Sequence, residues 1–241
     1  MVPGHEPGNP GRVRLGTWNV LHAGSPADDE VDLDRFATAV RGLDVDVLGL
    51  QEVDRGQPRS HRADLAAVAA EAMEAGEHRF APTLIGLPGD WAPAGEDGAC
   101  RTPAYGIALL SRFPVTDWRV VRLPRLPRKL PLLLGRPRRL VIVRDEPRVA
   151  LVARIRTPHG PVRVATTHLS FIAGWNLLQL RHLVRALRGP EPLVLTGDLN
   201  LGVRRARLGS GLQALTAAYT FPADAPRRRI DHLLEIGRAH V

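Results

Sequence analysis

The stretch PLVLTGDLN, residues 192–200, decides how this chain is read. It is a continuous apolar run that ends by delivering an acid and an amide, as a buried strand does where it leaves a packed sheet. Asp198 and Asn200 are two positions apart, so extended backbone points them to the same side. Two groups projecting together can hold one water and one substrate oxygen. Working outward, other apolar runs end in the same way: Asn19 in TWNV, Glu52 in LGLQEV, His168 in TTHLS and Asp231 in RIDHLL. Strand ends are rigid places to present such groups, and their convergence would make a site. Taken singly, each has an ordinary alternative. Asn19 and Asn200 suit turns, Glu52 suits a solvated rim, His168 suits a sheet edge, and Asp231 can pair with the arginines before it.

The rest of the chain alternates helix and strand signals. Strands are expected at 13–20, 44–53, 79–85, 105–111, 115–122, 140–144, 148–156, 161–168, 192–200 and 227–234. Helical spacing of apolar residues appears at 31–42, capped by Asp28 or Asp29, and at 175–188. The Ala-rich residues 62–76 form another helix that Gly76 can end. Gly209 and Gly211 of LGSGL read as a loop, and residues 1–11 as a flexible tail. A majority of strands, some hairpin-linked, with interspersed helices predicts an α/β fold: two sheets face to face with helices outside.

Composition removes several function classes. The 241 residues are 44% hydrophobic and 24% charged, enough for one packed unit that buries roughly 70–75% of the unfolded chain's surface. Cys100 is the single cysteine, which leaves no intrachain disulfide and no Cys-based zinc site. No apolar run approaches the roughly 18 residues of a membrane-spanning helix, and the Gly/Pro-rich start is not a secretory signal, so location defaults to the cytoplasm. No Gly-x-x-x-x-Gly-Lys occurs, which removes a P-loop. A calcineurin-type phosphoesterase fits poorly, because no Gly-Asn-His-Glu block follows GDLN. The net charge is +8, and 32 of the 33 basic residues are Arg, as GC-rich coding alone favours. Distribution says more: residues 119–148 hold nine Arg and Lys129 against Asp145 and Glu146, and Arg227, Arg228 and Arg229 form a second cluster. A basic face suits a polyanionic partner, and LPLLLG at 130–135 between basic residues suits an anionic membrane surface.

Six blocks in order, TWNVLHAG, DVDVLGLQEVDR, YGIALLSRFPV, VRVATTHLSF, PLVLTGDLNL and RRIDHLL, resemble the endonuclease/exonuclease/phosphatase superfamily from about Val13 to Leu234. The resemblance implies a four-layer α/β sandwich of two mostly antiparallel sheets flanked by helices, hydrolysing a phosphoester with Mg²⁺ or Mn²⁺ at the sheets' open edge. It implies Glu52 as the metal carboxylate and Asn19 as organiser of metal and phosphate. It further implies His168 as donor to a non-bridging oxygen, Asp198 with Asn200 beside it on the attacking water, and Asp231 as support for a later histidine. The implied substrate is nuclease-like, a nucleic acid, with a phospholipid or inositol phosphate as the other options, taken by a monomer. A non-catalytic polyanion-binding module on the same fold is the rival reading.

The chain departs from the family pattern in two places. Ile107 stands where Asn is frequent, removing one polar contact near substrate. The family's Ser-Asp-His block is absent, and His232 is a poor substitute because alternation turns it away from Asp231. The last residues, Glu235 to Val241, are what a common sequencing adapter would encode. The expectation is therefore a domain over 12–234 that is incomplete at its C-terminus and lacks final strand structure, a non-native tail over 235–241, and impaired turnover.

Overall fold

A computed structural model describes residues 12–95, 102–127, 129–134 and 139–235. Along the chain run β1 (Leu15–Asn19), α1 (Leu33–Leu43), β2 (Val47–Arg55), α2 (Leu65–Met73), β3 (Glu77–Ile85), β4 (Ala92–Pro93), β5 (Ala104–Ser111) and β6 (Val115–Arg122). There follow β7 (Leu130–Leu134), β8 (Arg139–Val143), β9 (Val149–Thr157), β10 (Gly160–His168) and α3 (Trp175–Ala186). The last elements are β11 (Leu193–Asp198), α4 (Val203–Ser210), β12 (Gln213–Ala214) and β13 (Asp231–Glu235).

One sheet has the order β1-β2-β5-β3-β4 and the other β12-β13-β11-β10-β9-β6; β7 and β8 pair only with each other. Both sheets are mixed, with β1–β2 and β10–β11 parallel and the remaining pairs antiparallel. Three apolar clusters show the layering. Leu48, Leu50 and Val53 of β2 pack with Phe36 and Val40 of α1 and Leu65 and Ala69 of α2. Leu193 and Leu195 of β11 pack with Leu180 and Leu183 of α3 and Ala206 of α4. Between the sheets lie Val47, Ile107, Leu109, Leu151, Ile155 and Val164. The expected sandwich of two sheets flanked by helices is the observed architecture.

The two sheets come close together at Gly49, where an added Cβ would collide with Thr166 Oγ1 and stand 2.7 Å from Thr196 Oγ1. One residue pair later, the buried Gln51 side chain donates to Thr17 Oγ1 (3.1 Å) and to Thr166 Oγ1 across the gap (3.0 Å). A satisfied amide in so narrow a space fixes the relative position of the sheets.

Local expectations hold with corrections. Asp32, not Asp28 or Asp29, caps α1, its carboxylate accepting from the Asp34 and Arg35 main-chain N–H groups; Asp28 instead pairs with Arg35 at 2.7 Å. Helix α2 ends at Glu74 in the left-handed region (φ 55) rather than at Gly76. Gly209 is not in a loop: it lies within α4, where a Cβ would collide with Leu177, and Gly211 closes that helix at φ 72. Strand β7 and helix α4 carried no recognised signal. Glu235, expected in the tail, is the last residue of β13, in register with Val194 and Gln213. The tails expected over 1–11 and 236–241 lie outside the described residues. Among the described residues no helix is long and apolar enough to cross a membrane.

Candidate active site

Both parallel pairs aim their C-terminal ends at the same edge of the sandwich, the end of a strand at which α/β proteins hold ligands. In the first sheet Asn19 is the register partner of Gln51, next to Glu52. In the second, His168 lies beside Asp198, and Asp198 beside Asp231. A cleft of ≈ 1010 Å³ opens there, and Asn19, Glu52, His168, Asp198, Asn200 and Asp231 all line it. The structure thus brings together all six residues singled out in the sequence.

Local backbone devices place several of them. On β2 the register slips between Leu50 and Val53, so that Gln51 and Glu52 together oppose Ile107 of β5. This bulge, with Glu52 at φ 58, takes Glu52 off the helix-facing side that Leu48 and Leu50 share and aims it into the cleft. Gly197 is required before Asp198, because at φ 137 a Cβ would collide with the Thr167 carbonyl. Asn200 is not extended, as the sequence spacing suggested, but left-handed at φ 50. It reaches the cleft because its main-chain N–H donates to Asp198 Oδ1 (2.9 Å) and its Nδ2 to the Leu169 carbonyl (3.0 Å). Asn176 at the start of α3 donates to the Asn200 carbonyl (2.9 Å) and holds the turn.

A single amide ties the two sheets' acids together. Asn19 Nδ2 donates to Glu52 Oε1 (2.8 Å) and to Asp198 Oδ2 (3.2 Å), while Asn19 Oδ1 accepts from the Leu21 N–H (3.2 Å). His168 Nε2 stands 3.7 Å from Asp198 Oδ2. Burial, and then the negative charge of Asp231, push Asp198 up to about 7. Burial also raises Asp231, whose Oδ1 is buried without a hydrogen-bond partner. Burial, and then the positive charge of Arg148, hold His168 well below the ordinary imidazole range, so its ring is neutral.

The sequence reading missed other residues of the cleft. Arg148, 6% exposed, sits just before β9 and pairs with Glu146 at 3.1 Å; both line the cleft, yet in the sequence Arg148 was one arginine among many. Tyr105 lines it from β5, its phenol raised by burial and then by the charge of Glu52. Ile107, where the family often has Asn, lies instead in the apolar layer between the sheets. Thr220 Oγ1 accepts from the Ile230 and Asp231 N–H groups (3.3 Å each), and Phe171, Phe221 and Arg228 form part of the rim. His232, on the opposite face of β13 from Asp231, is buried with Nε2 2.7 Å from the Leu201 carbonyl.

The donor set fits a hard, hydrated divalent cation. Glu52, Asp198 and Asp231 gather carboxylate oxygens at one edge, one of them orphaned, and repulsion from Asp231 and Glu52 adds to burial in raising Asp198. Among the described residues no group of three or more His, Cys, Asp or Glu is placed to hold a metal ion by itself, as a cage would. Mg²⁺ needs no such cage, since it is held by one or two carboxylates and keeps several waters. Glu52, bonded at Oε1 by Asn19, and Asp231, with Oδ1 unpartnered, are the residues with carboxylate oxygen to offer. Asn19, engaged through both ends of its amide, orients Glu52.

Acids, amides and an imidazole thus meet at one open edge of a two-sheet sandwich. The model of the Endonuclease/Exonuclease/phosphatase family matches residues 16–234, and the chain belongs to that family. Its members are hydrolases acting on phosphoesters, generally with divalent metals. Among solved structures, an endonuclease/exonuclease/phosphatase from Beutenbergia cavernae is 25% identical with a TM-score of 0.66, over 92% of this chain and 64% of that one. This chain therefore spans less than two thirds of that relative's length. Beta toxin from Staphylococcus aureus, with bound magnesium ions, is 13% identical (TM-score 0.59, covering 92% and 83%). Sphingomyelinase C from Streptomyces griseocarneus is 17% identical (TM-score 0.56, covering 92% and 83%). No match was found among curated proteins.

Proposed function

We propose that the cleft hydrolyses a phosphodiester or phosphomonoester with Mg²⁺ or Mn²⁺. The observation that carries this is the convergence of Asn19, Glu52, His168, Asp198, Asn200 and Asp231, from both sheets, on one opening. A phosphoester is anionic and repels an incoming hydroxide, so neutralising its charge is the main catalytic need. The bound cation, held by Glu52, would supply part of that neutralisation. Asn19 keeps Glu52 and Asp198 at fixed separation. His168, neutral, donates one N–H to a non-bridging oxygen, and Arg148 behind it provides the fixed positive charge. Asp198, with Asn200 locked beside it, orients the attacking water and takes its proton. Asp231 lies next to Asp198 in register, and its charge adds to burial in raising Asp198.

The sequence contains no Ser-Asp-His, and among the described residues His168 is the single imidazole lining the cleft, so turnover is expected to be impaired. The basic segment 119–148 supports a polyanionic substrate, nuclease-like in the sequence reading, by direct contact with phosphates. Monomeric state and cytoplasmic location complete the reading and are checked by size-exclusion and cell fractionation.

The test is hydrolysis of bis(p-nitrophenyl) phosphate by the purified chain. The reading expects release of p-nitrophenol that EDTA abolishes and Mg²⁺ or Mn²⁺ restores. EDTA-insensitive polyanion binding without any turnover would favour the non-catalytic module instead.

A further inference from the structure

The two helical layers of the sandwich differ in charge. Over the first sheet, α1 is capped by Asp32 and carries Asp34, and α2 is capped by Asp64 and carries Glu71. Over the second, α3 reads WNLLQLRHLVRA and α4 reads VRRARLGS, with no acid in either. No Asp or Glu occurs in residues 147–190 or 199–223. GC-rich coding raises arginine throughout a chain, but it does not empty one layer of acids.

Packing turns these arginines outward. Leu180 and Leu183 of α3 and Ala206 of α4 lie against Leu193 and Leu195 of β11, and Leu177 of α3 fills the space beside Gly209 of α4. Arg181 and Arg185 of α3, Arg188 just beyond it, and Arg204, Arg205 and Arg207 of α4 are left exposed. Among the described residues none of them makes a side-chain hydrogen bond or an ion pair. Glu191, the acid nearest to α3 in the chain, is taken by Arg154 at 2.6 Å. Helix stability does not explain the arrangement. Arg185 in the last turn of α3 suits the negative end of the helix dipole, but Arg204 and Arg205 occupy the first turn of α4, where a cation is unfavourable. That turn has neither an acid nor a side-chain cap.

The basic face starts at the cleft. Phe171 and Asn200, which line the cleft, stand just ahead of α3 and α4, and Asn176 of α3 donates to the Asn200 carbonyl (2.9 Å). At the far end Arg163, near the start of β10, donates to the Leu187 carbonyl (2.8 Å). The 12 residues of α3 therefore run back along β10, away from His168, for about 18 Å. An open groove of ≈ 510 Å³ follows the helix, lined by Gly174, Leu178, Arg181, His182 and Arg185 among others.

Such a face fits an extended polyanion. Beyond the half-buried Trp175 neither helix carries Phe, Tyr or Trp, so the face has nothing on which unpaired bases stack. A nucleic-acid duplex keeps its bases inside and presents phosphates along its outside. Leu178 and Leu208 are single exposed apolar residues, one on each helix, too few to hold a bilayer. We propose that the outer face of α3 and α4 binds the phosphate backbone of a nucleic-acid duplex without reading its sequence, and so tethers the chain to it outside the cleft. This tethering does not depend on the phosphoesterase reading.

The test is fluorescence anisotropy of a labelled DNA duplex titrated with the full chain in EDTA at several salt concentrations. The parent is expected to bind, more weakly as salt rises. Arg181→Glu with Arg204→Glu is expected to weaken binding on the order of tenfold or more, and to flatten the plot of log affinity against log salt by about two units. Its melting temperature should hold or rise, because an acid suits the first turn of α4. Should that pair lower the melting temperature, Arg181→Gln with Arg204→Gln carries the same test. Arg41→Glu with Arg62→Glu makes an equal change of net charge on the layer over the first sheet, and should leave affinity within about twofold of the parent. Absence of duplex binding at low salt, binding that the Arg181 and Arg204 changes leave intact, or an equal loss from the Arg41 and Arg62 changes would overturn the tethering. Attachment to phosphatidylserine vesicles in place of the duplex would overturn it as well.

Discussion

Asn19 and Asp198, 179 positions apart and on different sheets, share a hydrogen bond of 3.2 Å, and the same Asn19 nitrogen also reaches Glu52 at 2.8 Å. The cleft is therefore built on the junction between two sheets, and its geometry depends on how they are held together. Asn19→Ala removes the bridge while leaving both acids in place. Loss of a group that orients a ligating carboxylate typically costs about 10–100-fold in metal affinity. We expect that loss with little change in melting temperature, measured by Mn²⁺ titration beside a thermal melt. Unchanged affinity would remove Asn19 from the organising role.

The two acids that Asn19 joins should behave alike in turnover and differently in metal binding. Glu52→Gln and Asp198→Asn are each expected to lower the rate on the order of 10²–10⁴-fold. Glu52→Gln should also lose Mn²⁺, whereas Asp198→Asn should keep most of it. Near-parent rates for purified Asp198→Asn would refute its assignment to the attacking water.

Gly49 tests the junction from the structural side. Its Cβ space is taken by the Thr166 and Thr196 side chains of the opposite sheet. Gly49→Ala must push β2 from β10 and β11, and overpacking of this kind costs about 1–3 kcal/mol. Chemical denaturation should show that loss, with Mn²⁺ binding weakened as well. Full stability would mean that the sheets do not meet as described.

Acid stability follows from an ion cluster far from the cleft. Burial disfavours ionised Asp46, but the Arg14 side chain and main-chain N–H (2.7 Å), with Arg112 at 3.7 Å, outweigh it and leave Asp46 below its usual range. A carboxylate depressed in the folded state contributes stability above its unfolded value, about 3.9, and loses it as pH falls through the folded value. Asp46→Asn is expected to cost about 1–2 kcal/mol at neutral pH, given that Arg14 is partly exposed. The parent and Asp46→Asn melting temperatures should converge as pH drops below about 4. Parallel curves down to the lowest pH would contradict this assignment.

Much of the site was legible because its residues close apolar runs. PLVLTGDLN, TTHLS and RIDHLL name His168, Asp198 and Asp231 directly, and parallel or antiparallel register sets them side by side. Glu52 was legible by type but not by direction. Strict alternation puts it with Leu48 and Leu50 against the helices, and only the bulge at Gln51 and Glu52 turns it to the cleft. Asn200 was placed in the right opening for the wrong reason, since a left-handed turn, not an extended strand, brings it there. Arg148 and Tyr105 stayed hidden because neither stands out locally: one is an Arg in an Arg-rich segment, the other the opening residue of a block read for its fold. Helix α4 was missed because its buried side rests on Ala206 and close packing of Gly209, with no apolar stripe to betray it. The β7–β8 hairpin was half seen, its apolar run noted and its isolation from both sheets not foreseeable, because isolation depends on what fails to pack against it.

The most direct test of the central claim is Mn²⁺ binding to the purified chain, followed by the electron paramagnetic resonance of the free ion. The parent should bind one ion competed by Mg²⁺, and Glu52→Gln should bind it more than about tenfold less tightly while melting at the same temperature. Equal Mn²⁺ affinity in parent and Glu52→Gln would contradict a cation held at the junction of the two sheets.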